Sequence, residues 1–145
     1  MCWLCNINKF KIQRAEEDIV VYKILQENPQ GELRSPHYDC FPYTLNTIYN
    51  SPINIVANIW NNETVESTTG LYSTLAIPIC DEYLGVKCYT NTTGEGYTMA
   101  EHFVVKCVIP KNSLYSIGKH KEVISNTLKP IAIGKLVNGK IVFDD

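Results

Sequence analysis

Short apolar and β-branched runs, separated by turn-forming residues, dominate the chain and predict strands. The predicted strands cover residues 18–26, 53–60, 70–77 and 103–109, because Val, Ile, Tyr and Thr are favoured in strands. Residues 32–35 follow the turn-forming sequence Asn28-Pro29-Gln30-Gly31 and are predicted to return antiparallel to the first strand. No segment keeps a 3.6-residue apolar period over three turns, so the pattern predicts no long helix.

The end of the chain carries the strongest hairpin signal. Two apolar runs, residues 130–137 and 140–143, flank the dipeptide Asn138-Gly139. Asn-Gly is favoured in the type I′ turn because both of its central residues need a positive φ. We therefore predict a two-residue β-hairpin here.

Two segments suggest short helices. Residues 81–88 are a candidate short helix, which Gly85 weakens. Thr98-Met99-Ala100-Glu101 has the spacing of a capping box and predicts at most a single turn. Residues 37–54 are rich in Tyr, Pro and Asn and are expected to form an ordered aromatic loop. The predicted fold is a compact α+β domain spanning residues 1–145, dominated by antiparallel strands, with one or two short helices.

Composition and net charge limit the classes of partner that the protein is expected to bind. The chain has 145 residues, 45% hydrophobic and 19% charged, with a net charge of −2, which is typical of a globular domain. Without a positive field we expect no nucleic-acid partner, and no apolar run is long enough to span a membrane. The first residues lack a basic segment followed by an apolar one, so a cytoplasmic location is expected.

Six cysteines lie at positions 2, 5, 40, 80, 88 and 107. In a reducing compartment they are expected to be mostly free thiols. Cys2 and Cys5 form one C-x-x-C pair, but a structural zinc site needs four ligands, so we expect neither a zinc ion nor a disulfide between them. Cys107, in an apolar run, is expected to act as a small hydrophobic residue.

Catalytic motifs are weak. Cys40 or Cys107 with His37, His102 or His120 offers nucleophile pairs that no local sequence supports. The chain contains neither G-x-x-x-x-G-K-[ST] nor G-x-G-x-x-G, and Gly94-Glu95-Gly96 lacks the third glycine and the following helix. No cofactor, metal or catalytic residue is therefore predicted.

Aromatic residues cluster in one region beside a cation. Arg34, His37, Tyr38, Phe41, Tyr43 and Trp60 form the predicted ligand-binding set, with Tyr49 in the same stretch. Flat rings stack on aromatic or apolar ligands, and an arginine makes two-point contacts to phosphate or carboxylate. The alternative is that the rings fasten an irregular loop to the sheet while Arg34 is a solvated strand position.

Several blocks resemble small uncharacterised proteins of gut bacteria and their phages. The blocks are residues 18–25, Arg34-Ser35-Pro36-His37-Tyr38, Phe41-Pro42-Tyr43, residues 106–115 with Ser125, and the N-terminal Met1-Cys2-x-x-Cys5. They cover about half of the chain in scattered pieces. The resemblance implies a compact α+β domain and assigns no activity.

A more distant similarity is to ADP-ribosyltransferase-like domains, which have a basic residue on an early strand, a Ser-Thr strand start and a late glutamate. The matching positions are Arg34, the run Ser67-Thr68-Thr69 or Ser73-Thr74, and Glu101 or Glu122. The acidic or glutamine residue two positions before that glutamate is replaced by Met99 or His120.

These observations together predict a non-enzymatic binding protein. A phage or prophage accessory role is the expectation, in which the protein binds a host defence protein or a small nucleotide signal. The alternatives are an ADP-ribosyltransferase-like enzyme or a degenerate relative of one, and a virion structural protein. The partner is expected to be a host protein or a small anionic ligand.

Overall fold

A computed structural model describes residues 3–36, 41–78, 87–91 and 97–144. These residues form mostly antiparallel β-structure. The strands are β1 (Leu4–Asn6), β2 (Gln13–Arg14), β3 (Ile19–Glu27), β4 (Leu33–Arg34), β5 (Pro42–Tyr43), β6 (Tyr49–Asn50), β7 (Asn54–Ala57), β8 (Thr64–Thr69), β9 (Leu71–Thr74), β10 (Lys87–Asn91), β11 (Tyr97–Ile109), β12 (Leu114–Ile117), β13 (Glu122–Ser125), β14 (Thr127–Val137) and β15 (Lys140–Phe143).

The predicted dominance of antiparallel strands is confirmed, but the helical part of the α+β prediction is not. Within the described residues the helical structure is one three-residue 3₁₀ turn, Lys119–Lys121. The helical turn predicted at residues 98–101 is wrong, because these residues belong to β11 and pair with β10, Ala100 lying opposite Cys88. Cross-strand pairing here overrides the local capping-box signal. The predicted helix at 81–88 falls largely outside the described residues, and its last two positions lie in β10.

The predicted strands and turns are otherwise found close to their expected positions. Strands β3, β7, β9 and β11 correspond to the four predicted strands, and β4 pairs antiparallel with β3 as expected. At the end of the chain, β14 pairs with β15, and Asn138 and Gly139 have φ values of +50° and +77°. The predicted Asn-Gly hairpin is confirmed. In the predicted aromatic loop, the described residues contain the two short strands β5 and β6.

The chain divides into two compact units. The first consists of Met1–Val21, Ile48–Ala76 and Val108–Lys129. It contains a three-stranded sheet in the order β1-β8-β7 and a ladder in the order β2-β12-β13-β9. Its apolar core is built around the buried side chains of Trp3, Cys5, Val65 and Ile124, with Phe10, Ile53, Ile55 and Tyr72 packed against them.

The second unit consists of Tyr22–Thr47, Ile77–Cys107 and Pro130–Asp145. Its strands follow the order β15-β14-β11-β3-β4-β5, and β10 pairs with β11. Leu25, Val104, Val105 and Cys107 are fully buried in this unit. No helix in the described part of the chain is long and apolar enough to cross a membrane.

Candidate functional site

One buried asparagine fixes the turn between β3 and β4. Asn28 is 4% exposed, and its Oδ1 accepts hydrogen bonds from the backbone N of Gln30 (3.1 Å) and Glu32 (3.0 Å). Gly31, with a φ of +80°, donates its N to the Asn28 carbonyl at 2.9 Å. Asn28 Nδ2 also donates to Glu32 Oε1 at 2.9 Å. The turn therefore holds the Glu32 carboxylate in a defined position.

Glu32 has a second partner in Arg34, whose Nη2 lies 3.0 Å from Glu32 Oε2. The hydrogen bond from Asn28, followed by the hydrogen bond and the charge of Arg34, holds the pKa of Glu32 below its ordinary value. Glu32 is therefore ionised at neutral pH. Both carboxylate oxygens already accept a hydrogen bond, which fixes the direction in which the negative charge is presented.

An aromatic pair lies at the neighbouring strand β5, with Tyr43 in the strand and Phe41 directly before it. Strand β4 pairs antiparallel with β5, with Leu33 opposite Tyr43. The Tyr43 ring is buried and contacts the half-exposed Phe41 ring edge-on, with 5.1 Å between the centroids. Lys23 Nζ lies 5.6 Å from the centroid of the Tyr43 ring, within the range of a cation–π contact. The structure thus places Arg34 and Tyr43 on two adjacent strands, with Phe41 directly before the second.

These elements enclose a cleft of about 410 Å³, here called the β4–β5 cleft. Its described lining combines apolar and aromatic side chains with two carboxylates; the residues are Glu27, Gly31, Glu32, Leu33, Pro42, Tyr43, Thr44, Leu45 and Ile133. A mostly apolar cleft with a few convergent polar groups is the usual form of a ligand site. Among the described lining residues the charged groups are both acidic.

A second cleft, of about 290 Å³, shares Glu27 and Gly31 with the first. Its other described lining residues are Asn28, Pro29, Met99, Ala100 and Glu101. The β3–β4 turn therefore forms part of the wall of both clefts. Glu101 adds a third carboxylate to this side of the second unit.

The structure brings together part of the ligand-binding set predicted from the sequence. Tyr43 lines the β4–β5 cleft. Arg34 is connected to the cleft by its salt bridge with Glu32, which is a lining residue. His37 and Tyr38 lie outside the described residues. Trp60 belongs to the first unit, in the connection between β7 and β8, and is 89% exposed.

Sequence reasoning missed the acidic lining. Glu27 and Glu32 stand at either side of the turn Asn28-Pro29-Gln30-Gly31, and this flanking of a turn by two glutamates is the signal that was available. It was not informative on its own, because charged residues near a turn are ordinarily solvated. Only the return of β5 alongside β4 places Leu33 and Tyr43 next to these carboxylates.

The described thiols are not poised for nucleophilic chemistry. Cys5 and Cys107 are both buried and free. Burial raises the pKa of the Cys107 thiol to about 12 and raises the pKa of Cys5 as well. Cys107 and His102 are five residues apart on β11, and an odd separation along a strand places side chains on opposite faces. The predicted small-hydrophobic role of Cys107 is consistent with this burial. Cys2, His37 and Cys40 lie outside the described residues.

The residues matched to ADP-ribosyltransferase-like domains are divided between the two units. Arg34 and Glu101 belong to the second unit, whereas both Ser-Thr runs and Glu122 belong to the first. Within the first unit, Glu122 lies opposite Thr74 in the β13–β9 ladder. No three His, Cys, Asp or Glu side chains are grouped as metal ligands among the residues that the structure describes. No protein-family model, curated protein or solved structure matches the chain.

Proposed function

We propose that this protein acts by binding a partner protein through the β4–β5 cleft, with a lysine or arginine side chain of the partner entering the cleft. The observation that carries the proposal is the convergence of two carboxylates and an apolar wall in a cleft of about 410 Å³. A long basic side chain matches such a lining, because its aliphatic stem packs on apolar groups while its charge meets the carboxylates.

The ionisation and the fixed position of Glu32 support this choice of ligand. Asn28 and Arg34 hold the carboxylate by hydrogen bonds at 2.9 and 3.0 Å. A preordered charge loses little side-chain entropy on binding, so more of the interaction appears as affinity. Arg34 is here a positioning residue for Glu32 rather than the group that contacts the ligand.

The acidic lining distinguishes between the two partner classes that the sequence suggested. Glu27 disfavours a phosphate or carboxylate that enters the cleft, and so does Glu32, whose charge the Arg34 guanidinium partly neutralises. A basic segment on a host protein is favoured by the same two charges. A small anionic nucleotide would have to be held by groups other than those of the described lining.

The test is an amide-resolved NMR titration of the full chain with two small probes, N-acetyl-arginine amide and AMP. The arginine probe is expected to shift the amide signals of residues 31–33 and 42–45, and AMP is expected to leave them unchanged. Glu32→Gln should weaken the arginine response severalfold, while Glu63→Gln, an exposed glutamate of the first unit, should not. A response of these amides to AMP alone would refute the proposal and support the anionic-ligand prediction.

Arg34→Ala separates positioning from direct ligand contact. If Arg34 orients Glu32, the variant weakens binding of the arginine probe by about 1 kcal/mol or less, because Glu32 keeps its bond to Asn28. If Arg34 binds an anion, the variant instead loses AMP binding by about 1–3 kcal/mol, as for a lost charged hydrogen bond. The thermal midpoint of the variant, measured in parallel, shows whether the fold is retained.

A further inference from the structure

Among the described strands, β7 lies at one of the two edges of the three-stranded sheet of the first unit, which has the order β1-β8-β7. Asn58 N donates to Thr64 O at 3.0 Å, so the backbone groups of Asn58 face β8. Ser67 N, opposite Ile55, donates instead to Trp3 O on the β1 side. Backbone groups alternate in direction along an antiparallel strand, so those of Ile55 and Ala57 point away from the sheet.

Strand β7 carries none of the side chains that normally keep an exposed edge from pairing. Charged residues, lysine above all, and prolines give this protection, as do very short strands and β-bulges. β7 has four residues and a register shift between Asn54 and Ile55, so Ile55–Ala57 is the regular part of this edge. The second-unit edge strands carry such protective residues, with Pro42 in β5 and Lys140 in β15. In contrast, no charged residue occurs between Asp39 and Glu63, a stretch that includes the whole of β7.

The connection after β7 presents two large apolar side chains to solvent. Ile59 is 84% exposed and Trp60 is 89% exposed. The connection is nevertheless ordered, because Asn58 Oδ1 accepts hydrogen bonds from the backbone N of Trp60 (2.8 Å) and Asn61 (3.1 Å). Exposed tryptophans on a fixed backbone are characteristic of interface anchors.

We propose that β7 pairs antiparallel with β7 of a second copy of this chain, about a two-fold axis at Val56. In that register Ile55 lies opposite Ala57 of the partner copy, and the outward backbone groups of both residues form hydrogen bonds. Val56 lies opposite itself as a pair without hydrogen bonds, and its side chain, 42% exposed in the single chain, is covered.

The charge pattern favours a second copy over another occupant. A two-fold axis places every residue near a copy of itself, so a charged edge would meet a like charge, which is destabilising. The uncharged β7 meets no such penalty. The nearest acidic side chain on β8, Glu66, is one strand further from the axis, and its copy would lie about 14 Å away, beyond the screening length in physiological salt.

The connection with Ile59 and Trp60 follows β7 in each copy, so symmetry places one at each end of the paired strands. Their apolar surface adds burial to the backbone hydrogen bonds of a short strand. The proposal concerns the first unit alone, whereas the β4–β5 cleft belongs to the second. Failure of either proposal therefore leaves the other unaffected.

The first experiment measures dimer dissociation by sedimentation velocity of the full chain across a dilution series. The wild type is expected to dimerise reversibly. Val56→Lys should weaken the dimer about tenfold or more, which corresponds to about 1.4 kcal/mol. The matched control Val142→Lys changes a valine of similar exposure, 49%, on edge strand β15 and should dimerise like the wild type. A wild type that stays monomeric, or a Val56→Lys variant with unchanged dissociation, overturns the proposal.

A second experiment tests the register and does not depend on the stability of the lysine variant. Opposed residues without hydrogen bonds bring their Cα atoms to about 4.5 Å, within the range that a disulfide spans. Val56→Cys should therefore give a covalent dimer under mild oxidation, in excess of the wild type and of Val142→Cys. If all three proteins crosslink equally, pairing about Val56 is refuted. If the wild type stays monomeric in sedimentation, the occupant of this edge would instead be an extended segment of a different protein.

Discussion

Replacing Asn28 by alanine tests whether a single side chain fixes the turn that carries Glu32. The substitution removes the acceptor for the backbone N of Gln30 and of Glu32. Each such bond is worth about 1 kcal/mol net, so the loss of these two alone should lower the free energy of unfolding by about 2 kcal/mol. The hydrogen bond from Asn28 Nδ2 to Glu32 Oε1 is lost as well, and its contribution depends on pH. For a chain of this size that corresponds to a decrease of about 4–8 °C in the thermal midpoint.

The Asn28→Ala variant also carries a prediction for pH. The folded-state pKa of Glu32 is lowered, first by the hydrogen bond from Asn28. A lowered carboxyl pKa stabilises the fold above the unfolded-state pKa, and this stabilisation is lost as the pH falls through the folded-state value. The difference between wild type and Asn28→Ala should therefore be larger at neutral pH than in acid, where Glu32 is protonated in both proteins.

The assay is urea-induced unfolding followed by circular dichroism at neutral and acidic pH. Asn61→Ala is the matched control, because Asn61 is exposed and its Oδ1 accepts a single backbone bond, from Glu63 N at 2.9 Å. The control should cost about 1 kcal/mol or less. If Asn28→Ala were no more destabilising than Asn61→Ala, the turn would be set by its backbone and not by Asn28.

Three further predictions concern backbone conformation, close packing and a buried thiol. Gly139→Val should destabilise the fold by more than about 1 kcal/mol in thermal unfolding, because a β-branched residue is strained at a φ of +77°. An added Cβ would meet nothing within 4 Å, so the cost reports the backbone conformation and not a clash. An unchanged thermal midpoint would contradict the turn type. Gly118→Ala should cost about 1–3 kcal/mol, because its Cβ would clash with the backbone carbonyl oxygen of Leu4 and approach Trp3 Nε1 to 2.7 Å. Wild-type stability in urea would mean that both the β1 backbone and the indole can shift to make room. Burial raises the pKa of Cys107 to about 12, so in the folded protein it should resist iodoacetamide at pH 8 and in urea it should react, as mapped by mass spectrometry. Because the thiol ionises near pH 9 in the unfolded chain, its contribution to stability should be lost as the pH rises from 9 towards 12.

The strands that the sequence predicted well are those whose stability is local. β3 and β11 contain continuous β-branched and aromatic runs, and the hairpin at Asn138-Gly139 is determined by residues that tolerate a positive φ. By contrast, β13 was not predicted, although Val123 and Ile124 are buried. It is only four residues long, and its place is set by pairing with β9 and β12 on either side.

The sequence allowed individual residues of the candidate site to be predicted, but not their arrangement in space. Composition identified Arg34 and Tyr43 as notable, but not the β4–β5 pairing that sets Leu33 beside Tyr43 across the cleft. Nor did it indicate that Arg34 is engaged by Glu32, two residues away. A long arginine side chain can reach several acceptors, of which a carboxylate two residues away is only one. Glu32 becomes its partner because Asn28 holds that carboxylate in a fixed position.

By itself, the sequence determined an antiparallel β-rich fold, the two hairpins with turns at residues 28–31 and at Asn138-Gly139, and the burial of Cys107. These features follow from side-chain periodicity and from the φ values that glycine and asparagine permit, which act over a few neighbouring residues. Only the tertiary structure decided that residues 98–101 are strand rather than helix, that the charged residues of the described cleft lining are acidic, and that the uncharged β7 lies at an edge among the described strands. These depend on which strands become neighbours, and that choice is made by long-range burial and hydrogen bonding between residues distant in the chain.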